Sequence, residues 1–263
     1  MAQRRAEQSI TRRSLLTAGL AASTLCTVGR TSWAFGEEGS FNPRMLITGT
    51  AKWKGKRKGA PGRWAQEVVR RTSAPARLSP TLVRADGPAL LAEPFAVWAG
   101  TKAPAALTRS ELAGLRRFIA LGGVLLVDEL EPHKAKFLAG AVRQLARVLP
   151  EGSPIPIGEE NVLFRSFYLL TEATGRVQKS KKLRAIVRGG AVQVILSPND
   201  LLGALARSAG AVHSFDVVPG GEPQRERAIR LAVNIAMYVL CSNYKDDQVH
   251  APFLMRRRAT GKP

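Results

Sequence analysis

The chain has 263 residues, with 40 Lys and Arg against 20 Asp and Glu, and its formal net charge of +20 favours anionic partners such as nucleic acid, lipid head groups or acidic polymers. Its two cysteines cannot build the disulfide framework of a small secreted scaffold, and no repeated Cys/His spacing of a zinc site occurs, so stability must come from an apolar core. The length suits one α/β domain with a large core.

The first segment with a clear signature is a twin-arginine export signal. Arg12 and Arg13 precede a short, weakly apolar stretch, Leu15 to Val28, and a small-residue cleavage site that ends at Ala34. The stretch is shorter than the ~20 apolar residues of a membrane-spanning helix. Cleavage after Ala34 would remove five basic residues and one acid, leaving 229 residues with a net charge of +16. The other interpretation is a chance arginine pair before an alanine-rich helix.

Export determines which anions this basic chain meets. In the periplasm or outside the cell these are anionic lipids, lipopolysaccharide and acidic polymers, so we predict an anionic envelope component or a protein partner rather than nucleic acid. Peripheral membrane contact fits this prediction, and no transmembrane helix is predicted in the mature chain. Only Cys241 remains after cleavage, and we predict that it is a buried apolar residue at the end of the last helix.

Strands and helices alternate along the first half of the mature chain. The apolar run from Arg44 to Gly49 predicts a strand. Residues 52 to 63 include six basic residues, three glycines and no acid, which predicts a loop. Trp64 to Arg71 predicts a helix, and Phe95 to Gly100 predicts a buried strand that ends in glycine.

The clearest helix signal follows this strand. Thr108 and Glu111 have the spacing of a capping box, and Gly122-Gly123 predicts the end of the helix. Val124 to Val127 is a continuous apolar run, which is typical of a parallel strand covered on both faces. A further helix is predicted over Lys134 to Val148.

The second half predicts a change from parallel to antiparallel pairing. Leu183 to Ser197 contains two β-rich runs joined by Gly189-Gly190, the signature of a hairpin. Arg225 to Cys241 predicts a buried helix. The fold class is therefore α/β, with an open, mostly parallel sheet, helices on both faces and an antiparallel hairpin at one edge. We predict a signal over residues 1–34, one domain over 35–258 and a disordered tail over 259–263.

With these elements placed, the chain resembles the bacterial family called domain of unknown function 4159, over about Phe41 to Arg258. The resemblance implies a flavodoxin-like fold similar to class I glutamine amidotransferases and an envelope location, often alongside a chaperone-type ATPase system. It implies no activity, because none is assigned to the family. The matching stretches are RTS (71–73), PF (94–95), LTRSELAGLRRFIALGGVLLVDE (107–129), LFRSFYLL (163–170), SPNDLLGAL (197–205), RLAVNIAMYVL (230–240) and NYKDDQVHAPFLMRRR (243–258).

Ligands of open α/β sheets bind beyond the carboxyl ends of the strands, so the residues that follow each predicted strand are the first candidates for a site. Where the resemblance places the cysteine nucleophile of an amidotransferase, this chain has Asp128 and Glu129. No Gly-x-Ser-x-Gly elbow occurs either, which favours a non-catalytic binding module. The alternative is a metal-assisted or acid/base hydrolase that uses Asp128, Glu129 and Asp200. Otherwise Asp128 or Glu129 caps the following turn, pairs with an arginine and stays exposed, and Asn199-Asp200 is a helix cap. We predict no cofactor and no metal.

Two basic stretches are the candidate anion-binding surface. They lie at residues 52–63 and 176–188, and we expect them to form an anion-facing surface on one edge of the sheet. Trp53 and Trp64 flank the first stretch, and we expect one of them to pack against the core. The anion-binding candidates are Lys52, Lys54, Lys56, Arg57, Lys58, Lys181 and Lys182.

Overall fold

The computed structural model describes residues 39–79, 81–208 and 212–259, and it describes side chains as far as residue 242. These residues fall within one compact unit that spans residues 37–263. The predicted export signal, with Arg12, Arg13 and Ala34, lies outside the described residues, as does the predicted tail apart from its first residue.

The described chain contains one seven-stranded sheet. Its strand order is β2-β1-β3-β4-β7-β6-β5. The five strands from β2 to β7 in this order are parallel, and β6 is antiparallel to both β7 and β5. This confirms the predicted open, mostly parallel sheet with an antiparallel edge. The strands are β1 (Arg44–Ile47), β2 (Leu82–Arg84), β3 (Phe95–Gly100), β4 (Val124–Glu129), β5 (Ile155–Ile157), β6 (Leu183–Arg188) and β7 (Ala191–Ser197).

Helices cover both faces of this sheet, as predicted. Helices α1, α4 and α5 share one apolar cluster with the sheet, and α2 and α3 share another. Along β4, Val124 and Leu126 belong to the first cluster, whereas Leu125 and Val127 belong to the second. This alternation explains why the strand is a continuous apolar run. The helices are α1 (Ala60–Thr72), α2 (Arg109–Ala120), α3 (Lys136–Val148), α4 (Leu201–Leu205) and α5 (Gly221–Ala259).

Three sequence-based boundaries are wrong in ways that matter for the site. Helix α1 begins at Ala60, because Pro61 fits a first helical turn, so the end of the predicted loop is helical. Strand β4 extends through Asp128 and Glu129, which are its last two residues rather than part of a turn. Helix α3 begins at Lys136, after Ala135 in the left-handed region.

The predicted burial of Cys241 is also wrong, because its side chain is exposed. Val239 is buried against the sheet, and two residues further on a helix turns by about 200°. Cys241 therefore lies on the opposite side of α5 from Val239. In contrast, the expectation that one tryptophan packs down is confirmed, because Trp64 is fully buried and donates from Nε1 to the Ala232 carbonyl at 2.8 Å.

Candidate functional site

The strand order reverses at β1, which has β2 on one side and β3 on the other. In open parallel sheets, ligands bind outside the carboxyl ends of the strands at such a reversal. A cavity of about 440 Å³ lies here, lined by the ends of β1 and β3 and by the loops that follow them. The polar and aromatic side chains of its lining include Thr50, Lys52, Trp53, Trp98, Lys102 and Phe137.

The β1 loop at this cavity is held in place by helix α2. Gly49 has a φ of +53°, a conformation that favours glycine, and its N–H donates to Glu111 Oε1 at 2.6 Å. The other oxygen of Glu111 accepts from the N–H of Thr108 at 2.9 Å, completing the predicted capping box. Arg84 also donates to the Gly49 carbonyl at 3.2 Å. The buried Glu111 carboxylate thus fixes both the start of α2 and one wall of the cavity.

Asp128 is the second-last residue of β4, and its side chain lies on the face of the sheet that α4 covers. Its Oδ1 accepts from the N–H of Leu201 at 3.0 Å, and its Oδ2 accepts from the N–H of Leu202 at 2.9 Å. The side chain is fully buried. Burial, and then the nearby charge of Asp200, raise the pKa of Asp128 to about 7, although the two amide hydrogen bonds oppose this shift. Asp128 therefore caps a helix without reaching solvent, which corrects the expectation that such a cap is exposed.

Glu129, the next residue, points to the opposite face of the sheet. Its Oε2 accepts from the N–H of Leu138 at 2.8 Å, in the first turn of α3, and its Oε1 accepts from the N–H of Glu131 at 2.9 Å. Glu129 is fully buried as well. Because side chains alternate along a strand, Asp128 and Glu129 cap helices in different layers. The structure therefore does not bring Glu129 together with Asp128 and Asp200 in one site.

Asp200 is the predicted helix cap, and it also binds two arginines. Its Oδ1 accepts from the N–H of Gly203 at 2.9 Å and from Arg57 Nε at 2.9 Å. Arg176 Nε donates to Oδ2. The two guanidinium groups lie over the Phe215 ring, with Cζ atoms 4.2 Å (Arg57) and 5.5 Å (Arg176) from its centroid. One buried carboxylate therefore joins the two basic stretches of the sequence.

The anion-binding candidates divide into two groups. Arg57 belongs to this ion-pair cluster and keeps only 12% of its side-chain surface exposed, so it is not available as the sequence suggested. The candidate lysines of both stretches are exposed, although Lys181 Nζ lies 3.6 Å from Glu172. The exposed candidates are Lys52, Lys54, Lys56, Lys58, Lys181 and Lys182.

The second stretch reaches the same edge of the sheet through Asn199. The Asn199 Oδ1 accepts from the N–H groups of Lys179 at 3.0 Å and Ser180 at 2.9 Å. Leu183, at the start of the antiparallel strand β6, pairs with Ile157 beside the carboxyl end of β7. The lysines of both stretches therefore flank the carboxyl edge of the sheet.

Sequence reasoning missed several parts of this site. Trp98 and Phe137 pack edge to face at 5.5 Å beneath the cavity, and the Phe215 ring lies under the guanidinium groups of Arg57 and Arg176. None of these three aromatic residues has a local sequence signature of such a role. Glu111 had a signal, its capping box, although that signal did not reveal its contact with Gly49. Within residues 39–79, 81–208 and 212–259, no group of three or more His, Cys, Asp or Glu is arranged to hold a metal ion. Over the same ranges, none of the helices has the length and apolarity needed to cross a bilayer.

Comparisons with known proteins agree with the resemblance seen in the sequence. A family model described as domain of unknown function (DUF4159) matches residues 44–240. These residues contain the whole sheet, the cavity and the ion-pair cluster. A comparison with curated proteins found no match.

Proposed function

The chain belongs to the DUF4159 family, whose description assigns no activity, and we propose that it is a non-catalytic module that holds an anionic partner against the carboxyl edge of its sheet. One observation carries this proposal. The acids at the ends of β4 and β7, Asp128, Glu129 and Asp200, are fully buried and engaged by helix amides or arginines, whereas the lysines of the loop after β1 are exposed. The exposed Glu159 and Glu160 lie farther along the edge, after β5. The part of the edge that carries the loop after β1 therefore presents positive charge to solvent.

The end of β4 supports a binding role rather than acyl transfer. We propose a scaffold similar to class I glutamine amidotransferases, in which the nucleophile would be a cysteine at this position. Asp128 and Glu129 occupy this position instead, and both oxygens of each carboxylate accept hydrogen bonds from backbone N–H groups. Nucleophilic acyl transfer requires an activated nucleophile within reach of a base, and these two side chains do not supply that pair.

We also propose that the protein reaches the bacterial envelope through the twin-arginine route, as the Arg12-Arg13 pair indicates. In that compartment a basic edge meets anionic lipid head groups and acidic polymers. The contact with a membrane would be peripheral, made by exposed lysines rather than by an inserted helix. Electrostatic contacts of this kind weaken as salt rises, because exposed charges are screened within about 8 Å at physiological ionic strength.

A hydrolase is the second candidate, and the raised pKa of Asp128 is the observation that favours it. A carboxyl group with a pKa of about 7 exchanges its proton near neutrality, as a general acid or base does. Asp128 nevertheless has both oxygens bonded to the start of α4, so substrate access requires that helix to move. Under this alternative, Asp128→Asn combined with Glu129→Gln abolishes turnover, whereas under the binding proposal it leaves partner binding intact.

Vesicle binding tests the proposed function. Purified protein is sedimented with phosphatidylcholine vesicles, with or without phosphatidylglycerol, across a range of salt concentrations. We expect binding only to the anionic vesicles, at low ionic strength, and weaker binding when Lys52, Lys54, Lys56 and Lys58 are all changed to Gln. The control changes four exposed arginines that lie toward the other end of the sheet or in mid-helix, Arg117, Arg143, Arg147 and Arg188, to Gln. Equal loss in both variants, or no binding at any salt, contradicts the proposal.

A further inference from the structure

The cavity between β1 and β3 has the walls of a small-molecule site, and we propose that it binds a small organic oxyanion, a phosphate or a carboxylate, attached to a flat apolar group. This ligand differs from the macromolecular partner proposed above. The cavity volume of about 440 Å³ is within the range of about 300–1,000 Å³ typical of small-molecule pockets. Its position at the reversal of strand order is where ligands bind in sheets of this kind.

The charge of the lining selects an anion. Lys52 comes from the loop after β1 and Lys102 from the loop after β3, so cations stand on both sides of the opening. No acid lines the cavity among the described residues. The hydroxyl-bearing Thr50 and Thr101 also line it and are exposed, as both lysines are. Lysine ammonium groups and threonine hydroxyls donate hydrogen bonds to oxyanions, and the charged donors make the stronger ones.

The remaining wall is apolar and aromatic. Trp53 is half-buried, and its indole N–H donates to the Lys58 carbonyl at 3.2 Å, which holds the ring at the cavity. Trp98 and Phe137 pack edge to face below it. Gly100 permits this floor, because a Cβ there would lie 2.4 Å from Cδ2 of Phe137. Rigid aromatic walls favour a planar apolar group over a flexible chain.

The cavity is also preformed. The Gly49 turn is held from one side by the Glu111 carboxylate and from the other by Arg84. These two contacts fix the loop before any ligand binds, which lowers the entropy that binding must cost. Lys52 extends from this anchored loop, and Lys102 follows the end of the six-residue strand β3 by two residues.

Calorimetric titration with four probes tests the proposal. The probes are 1-naphthyl phosphate, 1-naphthoate, 1-naphthol and inorganic phosphate. We expect at least one of the naphthyl anions to bind, with 1-naphthol and inorganic phosphate each at least tenfold weaker. The tighter of the two anions identifies the head group, and either result supports the proposal. Failure of both naphthyl anions to bind at millimolar concentration overturns it.

Variants locate the site. Lys102→Gln should weaken binding of the naphthyl anion about tenfold, as expected for the loss of one charged hydrogen bond, and Lys102→Arg should restore it. Thr101→Trp should fill the cavity and abolish binding, with circular dichroism confirming the fold. The matched control is Lys136→Gln, an exposed lysine at the start of α3 that does not line the cavity. Unchanged binding in both Lys102→Gln and Thr101→Trp overturns the assignment.

The same variants separate this proposal from the vesicle-binding function. Thr101→Trp should leave vesicle binding unchanged, because it alters no charge. Lys54, Lys56 and Lys58 do not line the cavity, and changing all three to Gln should weaken vesicle binding without altering the affinity for the naphthyl probe. Loss of both activities in either variant contradicts the separation of the two sites.

Discussion

Arg57 and Asp200, 143 residues apart in the sequence, form an ion pair in which Arg57 Nε donates to Asp200 Oδ1 at 2.9 Å. The carboxylate is fully buried, and the arginine also donates from Nη2 to the Leu130 carbonyl at 2.9 Å. The pair therefore fastens the middle of the lysine-rich loop to the ends of β4 and β7. Because Arg57 is used in this way, the neighbouring lysines are displayed from an anchored loop.

Asp200→Asn tests this anchor. Asparagine keeps a side-chain oxygen for the helix cap and tolerates the left-handed backbone (φ +55°), but it leaves Arg57 and Arg176 without their shared charge. We expect the free energy of unfolding in urea to fall by about 3 kcal/mol, the lower end for a broken buried pair, and trypsin to cut the loop faster. The control is Asp86→Asn, which removes an exposed partner of Arg84 and should lower the free energy of unfolding far less, because solvent screens an exposed pair. Equal losses in the two variants would contradict the anchoring role.

Asp128 should make stability fall as pH rises. Its pKa is about 7 in the folded protein and near the usual value of 3.8 in the unfolded chain, so between these values the folded state holds a proton that the unfolded state lacks. Stability from this residue is fully present below about pH 4 and is lost as pH rises toward 7, by at most about 1.4 kcal/mol per pH unit. Urea unfolding at pH 5, 6 and 7 measures it. The difference in the free energy of unfolding between wild type and Asp128→Asn should carry this slope, and a difference that does not change with pH would contradict the assignment.

The acidic side of the pH profile has another cause. Hydrogen bonding from Arg71 lowers the pKa of Glu226 to about 2. The stabilisation from this lowered pKa is present above pH 4.5, the pKa in the unfolded chain, and is lost as the pH falls toward 2. It therefore changes only below the range of pH 5 to 7 that measures Asp128. Comparing the wild type with Asp128→Asn at the same pH values removes this contribution.

Cys241 should react in the folded protein, because its side chain is exposed. It is the sole cysteine left if the chain is cleaved after Ala34, so a thiol reagent such as dithionitrobenzoate reports on it alone. We expect native protein to react at a rate within a few-fold of guanidinium-unfolded protein. Cys241→Ser should change the free energy of unfolding by no more than about 0.5 kcal/mol, as surface substitutions do. Labelling that requires unfolding would contradict the exposed position.

Local sequence signals predicted most of the fold. The capping box at Thr108, the apolar run of β4 and the Gly189-Gly190 hairpin each depend on neighbouring residues, and each is present in the structure. Strands β2 and β5 were missed, because each has three residues and pairs with a distant partner at a sheet edge. A segment of three residues is too short for alternation to be recognised.

The site was predicted less well, because its parts are joined by tertiary contacts. The sequence located Asp128 and Asp200 at strand ends, and the structure brings them close enough for the charge of Asp200 to raise the pKa of Asp128. The sequence could not reveal that Glu129 lies on the opposite face of the sheet, toward α3, because the predicted strand ended two residues too early. The residues that follow β1 and β3, Gly49-Thr50 and Gly100-Thr101, were among the first candidates, and Thr50, Gly100 and Thr101 line the cavity. The cavity itself was not predicted, because β1 and β3 become neighbours only when the sheet forms.

Replacing Arg12-Arg13 by Lys-Lys should keep the precursor in the cytoplasm, because the twin-arginine receptor recognises the arginine pair. Fractionation of cells that express each form measures the distribution, and N-terminal sequencing of exported wild-type protein should start near Phe35. Replacing Arg4 and Arg5 by Lys is the matched control and should leave export intact. Unchanged export of the Arg12-Arg13 variant would contradict the predicted route.

Glu111→Gln should loosen the β1 loop more than it loosens helix α2. The buried carboxylate accepts from Gly49 with one oxygen and from Thr108 with the other, and an amide can accept with only one of them. We expect the free energy of unfolding to fall by about 1 to 3 kcal/mol, the cost of leaving a buried donor unpaired. Amide exchange at Gly49 should accelerate, and the naphthyl probe should bind more weakly because the loop carrying Lys52 is less ordered. Thr108→Ala separates the two roles: it removes the helix cap, at about 1 kcal/mol, yet should leave exchange at Gly49 and probe affinity unchanged. If both variants alter Gly49 equally, the loop depends on the start of the helix as a whole and not on the Glu111 carboxylate.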